Sequence, residues 1–192
     1  MPSACSEPPR RSGRRCRPRA PLLAGLVLLP LPLQAADWAR AAFPVASFSG
    51  FSSHFGPRLS SLGNGREEWH RGIAIAAPLG SPVRSWWSGV VSRVLLDDLC
   101  GVGLVVRSGA YEHVYCHLSG RVEGGVYRSG SLRLRQGKRV RTGEVIGHVG
   151  SSGRSTGPHL HWGLRHRGRY LDPAGVLRAM AEARRRQRGG AR

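Results

Sequence analysis

Two histidines, His159 and His161, close a glycine-punctuated stretch that reads Gly153-Arg154-Ser155-Thr156-Gly157-Pro158-His159-Leu160-His161. On a β-strand an i, i+2 pair projects both imidazoles from one face and turns Leu160 to the other. Imidazole is neutral near pH 7, ligates borderline metals and shuttles protons. Two converging rings at a loop-to-strand junction could therefore form a metal or proton-transfer site. Taken alone, the pair equally fits two strand histidines on a solvated face. The remaining histidines are His54, His70, His113, His117, His148 and His166. His70 ends Glu67-Glu68-Trp69-His70 and enters Arg71-Gly72-Ile73-Ala74-Ile75-Ala76-Ala77-Pro78, and His117 lies in Tyr115-Cys116-His117-Leu118-Ser119.

The elements that must position these residues read as strands. From Phe43 onward short apolar runs are broken by Gly, Pro and Ser, with no amphipathic helical period until the end. Strands are expected at Gly72 to Ala76, Gly89 to Leu95, Val102 to Arg107, Tyr111 to His117, Glu144 to Val149, His159 to Arg165 and Arg169 to Leu171. Turns rather than helices separate them, so the fold class is all-β: a mostly antiparallel sandwich or open barrel with a short C-terminal helix. That helix is expected over Pro173 to Arg186, with Asp172 as N-cap. A hairpin pairing Arg107 with Tyr111 would set Val102 opposite Cys116. Segment 131 to 141 alternates apolar and basic residues, as an amphipathic surface strand would. Trp86 and Trp87 are adjacent, so only one is expected to face inward; the other could stack on sugar rings or cover an edge.

Charge and cysteines bear on compartment. The 192 residues carry 30 Lys+Arg against 11 Asp+Glu, a formal +19. Six arginines precede residue 21, followed by the apolar run 21–33 and small residues at Ala35 and Ala36. This is the anatomy of a secretory signal, with cleavage expected near Ala35 or Ala36. The run is too short and Pro-broken for a membrane span. Removing residues 1–36 leaves 24 basic and 10 acidic side chains, about +14. An exported cationic chain meets cell-wall polymers and anionic lipid surfaces. No recognition helix or aromatic-interleaved basic motif accompanies the arginines, so nucleic acid is not the expected partner. Of four cysteines, only Cys100 and Cys116 remain after the signal. Two thiols in an oxidising compartment can pair, and the hairpin brings them near each other. The run Arg184-Arg185-Arg186-Gln187-Arg188 reads as a solvated or disordered end rather than a specific site.

The histidine segments, in this order and spacing, resemble the lysostaphin/LytM-type zinc metallopeptidases, exported enzymes that cut peptidoglycan peptides. The resemblance extends to Ser53-His54-Phe55-Gly56-Pro57-Arg58, to Ala76 through Val83 and to Gly137 through Gly147, and it covers Phe51 to about Pro173. It implies a duplicated-hybrid-motif, lipoyl-like β fold over residues 49–173, preceded by a leader at 37–48 and followed by a helix and basic tail at 174–192. It also implies Zn2+ held by His70, by an aspartate four residues later and by His161, with a fourth position for water. His117 and His159 would assist catalysis by orienting or deprotonating that water. The implied partner is peptidoglycan, with other cell-wall hydrolases as further partners, in the periplasm or cell envelope. A monomer is expected.

One position departs from the family pattern. Where the aspartate belongs, this chain has Ala74, and a methyl group cannot ligate zinc. His54, Glu112 and the Asp97-Asp98 pair could be considered as substitutes. Asp97 and Asp98 read more simply as turn residues, Glu112 lies on the opposite strand face from His117, and Cys116 is expected to point away from the site. Two functions remain open: a zinc endopeptidase of the cell wall, or a catalytically degenerate domain that binds the wall or regulates other hydrolases.

Overall fold

The computed structural model describes residues 37–60 and 64–190. The expected signal segment lies outside them. Fifteen strands follow in chain order: β1 Gly50–Ser53, β2 Gly56–Leu59, β3 Glu67–His70, β4 Ile73–Ala76, β5 Pro82–Arg84, β6 Gly89–Asp97, β7 Gly101–Ser108, β8 Tyr111–Cys116, β9 Arg121–Glu123, β10 Val126–Ser129, β11 Leu132–Arg135, β12 Arg139–Val140, β13 Val145–His148, β14 His159–His166 and β15 Arg169–Leu171. A 3-10 turn, Asp37–Arg40, precedes them, and helix α1, Pro173–Gly189, ends the described chain. Every strand pair is antiparallel, as the turn-separated pattern predicts. The main sheet runs β1-β4-β14-β8-β7-β6-β12, with β15 also pairing β14; β9–β11 form a second sheet, and β5/β13 and β2/β3 are two-stranded.

Period-2 alternation divides the main sheet into two faces. Ile73 and Ile75 on β4, Leu160, Trp162 and Leu164 on β14, and Tyr115 on β8 are all fully buried and form the centre of the core. Each such side chain contributes roughly 1.5–3 kcal/mol on leaving water. Trp86 joins them, edge-on to the His113 ring (centroids 4.9 Å apart) and with its Nε1 donating to Met180 Sδ (3.1 Å) on α1. Trp87 is half-buried against the same core, so neither residue of the pair is a free stacking platform. The exposed tryptophan is Trp69, with 59% of its surface accessible. Residues 37–48 are built into the fold: Ala41 and Val45 are buried, Val45 bridges to Val83, and Arg184 of α1 donates to the carbonyls of Ala39 and Ala41.

Helix α1 starts as the sequence indicates, with Asp172 accepting from Ala174 N (2.9 Å) and Pro173 in the first turn. It continues to Gly189, past the expected end at Arg186, so the arginine-rich run is helical, with Arg185, Arg186 and Arg188 exposed as a solvated run would be. Val176, Met180 and Ala183 recur on its buried face, and that apolar stripe docks the basic segment.

The β7–β8 hairpin corrects the expected register by one residue. Ser108 pairs with Tyr111 and Arg107 with Glu112, across a Gly109-Ala110 turn in which Gly109 adopts φ +58°. Two-residue hairpin loops require such left-handed positions, and glycine meets that need at little cost. Cys100 and Cys116 are disulfide-bonded, with Cα atoms 4.9 Å apart. Segment 131–141 alternates as expected only over β11, where Leu134 is buried between exposed Arg133 and Arg135; a turn then separates it from β12.

Candidate functional site

Beneath the β2/β3 hairpin, the second face of the main sheet floors a cavity of about 330 Å³. Alternate residues supply its floor: Arg93, Leu95 and Asp97 from β6, Val114 and Cys116 from β8, His161 and Arg165 from β14. Its walls include Arg58, Glu68 and His70 of the hairpin and Arg154 of the loop before β14. Of the four histidines singled out in the sequence, His70, His117 and His161 line this cavity, and His159 stands against His117. Ring centroids are 4.9 Å apart for His70 and His161, 4.7 Å for His117 and His159, and 6.0 Å for His117 and His161.

Backbone carbonyls fix three of these rings. His70 Nδ1 donates to His54 O (2.7 Å), His117 Nδ1 to Ser152 O (2.8 Å) and His159 Nδ1 to Gly157 O (2.8 Å). A proton committed at Nδ1 leaves Nε2 as the lone-pair nitrogen, which is how proteins orient imidazoles for metal or proton work. His70 Nε2 then faces His161 Nδ1 at 2.9 Å, so His161 Nδ1 carries the proton between them. Burial pushes His70 below its ordinary value, His161 well below it and His117 down to about 4, so these rings are neutral at pH 7. The nearby cation Arg58 adds to the effect on His70 and His161.

Two local backbone features hold this arrangement. His117 adopts φ +63°, unusual for a residue with a side chain, immediately after β8 ends. Its N–H donates to Cys100 O (2.9 Å). That left-handed residue interrupts strand alternation, which corrects the expectation for Cys116: both Cys116 and His117 line the cavity. Cys116 is unavailable to a metal because it is bonded to Cys100. Gly72 is the second feature. A Cβ there would lie 2.7 Å from His161 Cε1 and 2.7 Å from Trp162 O, so only glycine lets β4 pass beside the His161 ring.

Ala74 sits in the middle of this site. It is the direct cross-strand partner of His161 on one side and of Ser53 on the other, and is 3% accessible. Directly paired residues project to the same face of a sheet, so the Ala74 methyl points where a ligating carboxylate would project. None of the substitutes considered from sequence fills that place. His54 contributes its carbonyl while its imidazole is exposed beside Phe51. Glu112 pairs with Arg165 (3.6 Å). Asp97 lines the cavity but closes a turn by accepting from Leu99 N and Cys100 N (2.9 and 2.7 Å).

Zinc is the metal that the histidine pattern implies, and the donors fit it only in part. His70 Nε2 and His161 Nδ1 converge as two tetrahedral ligands would; nitrogens at zinc distances stand about 3.3 Å apart. Among the described residues no group of three or more His, Cys, Asp or Glu side chains is poised to hold a metal ion. His161 would also have to move its Nδ1 proton to Nε2 before ligating through Nδ1.

Sequence reasoning gave no role to the polar frame around the histidines. Arg58 Nε and Nη2 donate to Glu68 Oε1 (3.0 and 2.7 Å) and its Nη1 to Ser53 Oγ (2.8 Å), while Arg154 Nη2 donates to Glu68 Oε2 (2.8 Å). Burial raises the Glu68 carboxyl, and the two guanidiniums outweigh it, holding the group below its usual range. The signal for Glu68 was its i, i+2 spacing from His70, which puts both on one face of β3.

Residues 68–173 match Peptidase family M23. The chain is 38% identical over 132 residues to the DD-carboxypeptidase/endopeptidase Mpg of Neisseria meningitidis, covering 67% of this chain and 27% of that protein. It is 32% identical over 137 residues to the peptidoglycan DD-endopeptidase ShyC of Vibrio cholerae, covering 71% of this chain and 29% of that one. A zinc-containing peptidase from Vibrio cholerae superposes with a TM-score of 0.57 at 31% identity, over 72% of this chain and 38% of its own. The chain thus spans less than a third of the length of these two curated relatives.

Proposed function

Because this chain belongs to peptidase family M23, we propose that it is a peptidoglycan hydrolase of the cell envelope, a zinc endopeptidase directed at peptide bonds of the wall. The observation that carries this reading is the clustering of His70, His117 and His161 on one cavity with His159 against His117, three of the four with Nδ1 held by a carbonyl. In this reading zinc, when bound, would acidify a water and polarise the scissile carbonyl. His70 and His161 would hold it. His117 and His159, each with Nδ1 committed to a carbonyl, leave Nε2 as the nitrogen that can accept and return a proton. The Cys100–Cys116 disulfide, beside His117, and the Arg58–Glu68–Arg154 bridge keep the walls in place. Export through the secretory route fits the basic and apolar residues 1–36. No helix among the described residues is long and apolar enough to cross a membrane.

Ala74 opposite His161 favours a second reading, in which the domain binds wall peptides or regulates other hydrolases without cutting. The deciding experiment measures bound zinc and release of muropeptides from isolated peptidoglycan, with and without chelator, for wild type and Ala74→Asp. Chelator-sensitive release by wild type supports the hydrolase. Release by Ala74→Asp alone supports the second reading. Release by neither would overturn the assignment of His70 and His161 as a metal pair one donor short of completion.

A further inference from the structure

We infer that the histidine cavity binds a peptide carboxylate, with Arg154 as its recognition group. The inference rests on the proposed wall-peptide reading for the source of that carboxylate, and on the charge inventory of the cavity for its chemistry. Five lining residues are cationic, Arg58, Arg71, Arg93, Arg154 and Arg165, against two anionic ones, Glu68 and Asp97. The carboxylates are already engaged. Asp97 Oδ1 accepts two backbone N–H groups, and the Glu68 oxygens are divided between Arg58 and Arg154. Arg165 is the partner of Glu112 and Tyr170, so it is largely satisfied too.

Arg154 is less so. It makes one side-chain contact, Nη2 to Glu68 Oε2, and its half-buried side chain lines the cavity with the other donors of its fork uncommitted. A planar guanidinium offers five donors, and a carboxylate is the group that matches two of them at once. Replacing the expected aspartate by Ala74 removes the one anion that would have stood among the histidines, on the same face as His161. Without it the surplus positive charge opposes a dication and favours an anion. The exposed Trp69 and Leu99 at the rim supply apolar surface for the aliphatic part of a short peptide. A peptide that ends in a free carboxylate has both features.

The test uses chelator-treated protein and the dipeptide N-acetyl-D-alanyl-D-alanine, with its C-terminal amide and inorganic phosphate as comparison probes. Binding is read by calorimetry and by shifts of the histidine ring resonances. The acid is expected to bind at least about tenfold more tightly than the amide, since a charge-assisted, bidentate pair is stronger than a neutral hydrogen bond. Arg154→Gln should abolish most of that difference while the amide remains unaffected, and Ala74→Asp should weaken the acid by adding like charge. Phosphate binding as strong as the dipeptide acid would show a general anion site and overturn the peptide source. Equal binding of acid and amide, or an acid preference retained in Arg154→Gln, would overturn the inference. The outcome is separable from hydrolysis: acid-selective binding with no muropeptide release leaves the carboxylate site standing while the hydrolase reading falls. Release without acid selectivity does the reverse.

Discussion

The two faces of the main sheet use the same strands and the same residue type to opposite ends. On one face His161 of β14 meets His70 across 2.9 Å and lines a solvent-connected cavity. On the other, His113 of β8 is fully buried against Trp86 and Tyr115, and its Nε2 has no hydrogen-bond partner among the described residues. The difference is one of partners rather than burial. Three imidazoles of the cluster, those of His70, His117 and His159, have a carbonyl for Nδ1, which leaves Nε2 as the open nitrogen, whereas His113 shares only a 3.3 Å contact with Tyr115 Oη. An imidazole becomes chemically useful when one nitrogen is committed and the other is open.

The largest effect should come from completing the cavity face. Ala74→Asp is expected to tighten zinc binding, so that the variant keeps one zinc per chain at a chelator concentration that strips the wild type, read by metal analysis. A variant that folds and stays zinc-free would mean that the His70–His161 pair is not a metal pair at all. Next comes the disulfide beneath His117. Replacing Cys100 and Cys116 together by Ser releases a loop with a sequence separation of 16, and about 3 kcal/mol of stability should be lost in denaturant melts. Loss from the cavity face is expected to spread to His117, because its N–H is held by Cys100 O. Gly72→Ala ranks third. Its Cβ would press on both the His161 ring and a backbone oxygen that cannot retreat, so about 1–3 kcal/mol should be lost together with the His70–His161 contact.

Much of this face was readable without coordinates. His70, His117, His159 and His161 stand in segments whose order matches one family, and period 2 alone puts His159 and His161 together. The strands carrying Ile73, Leu104 and Leu160 were legible because their apolar alternation is strong. Hairpin β2/β3 was not, since Glu67-Glu68-Trp69-His70 is polar and gains its order from Arg58 and Arg154 rather than from burial. Cys116 was misplaced because strand alternation was carried one residue too far, through a His117 that adopts φ +63°. Residues 37–48 showed no pattern because their few buried groups meet α1 and β5, contacts that no local spacing records.

The smallest effect at neutral pH tests the core face. Burial lowers His113 to about 3, so the folded state excludes a proton that the unfolded chain takes up near 6.5. The unfolded state binds more protons over that interval, hence stability rises with pH and falls as pH drops from about 6.5 toward 3, by up to about 1.4 kcal/mol per pH unit for this group. His117, lowered to about 4, adds loss in the upper part of the same window. His113→Phe keeps an aromatic ring against Trp86 and removes the unpartnered nitrogen. At pH 7 it should change stability by less than about 1.5 kcal/mol. At pH 5 it should be more stable than wild type, with a shallower acid limb in urea melts taken from pH 7 to pH 4. If its acid limb matches that of wild type, the acid sensitivity belongs to the cavity face, and the contrast between the two kinds of histidine fails on its core side.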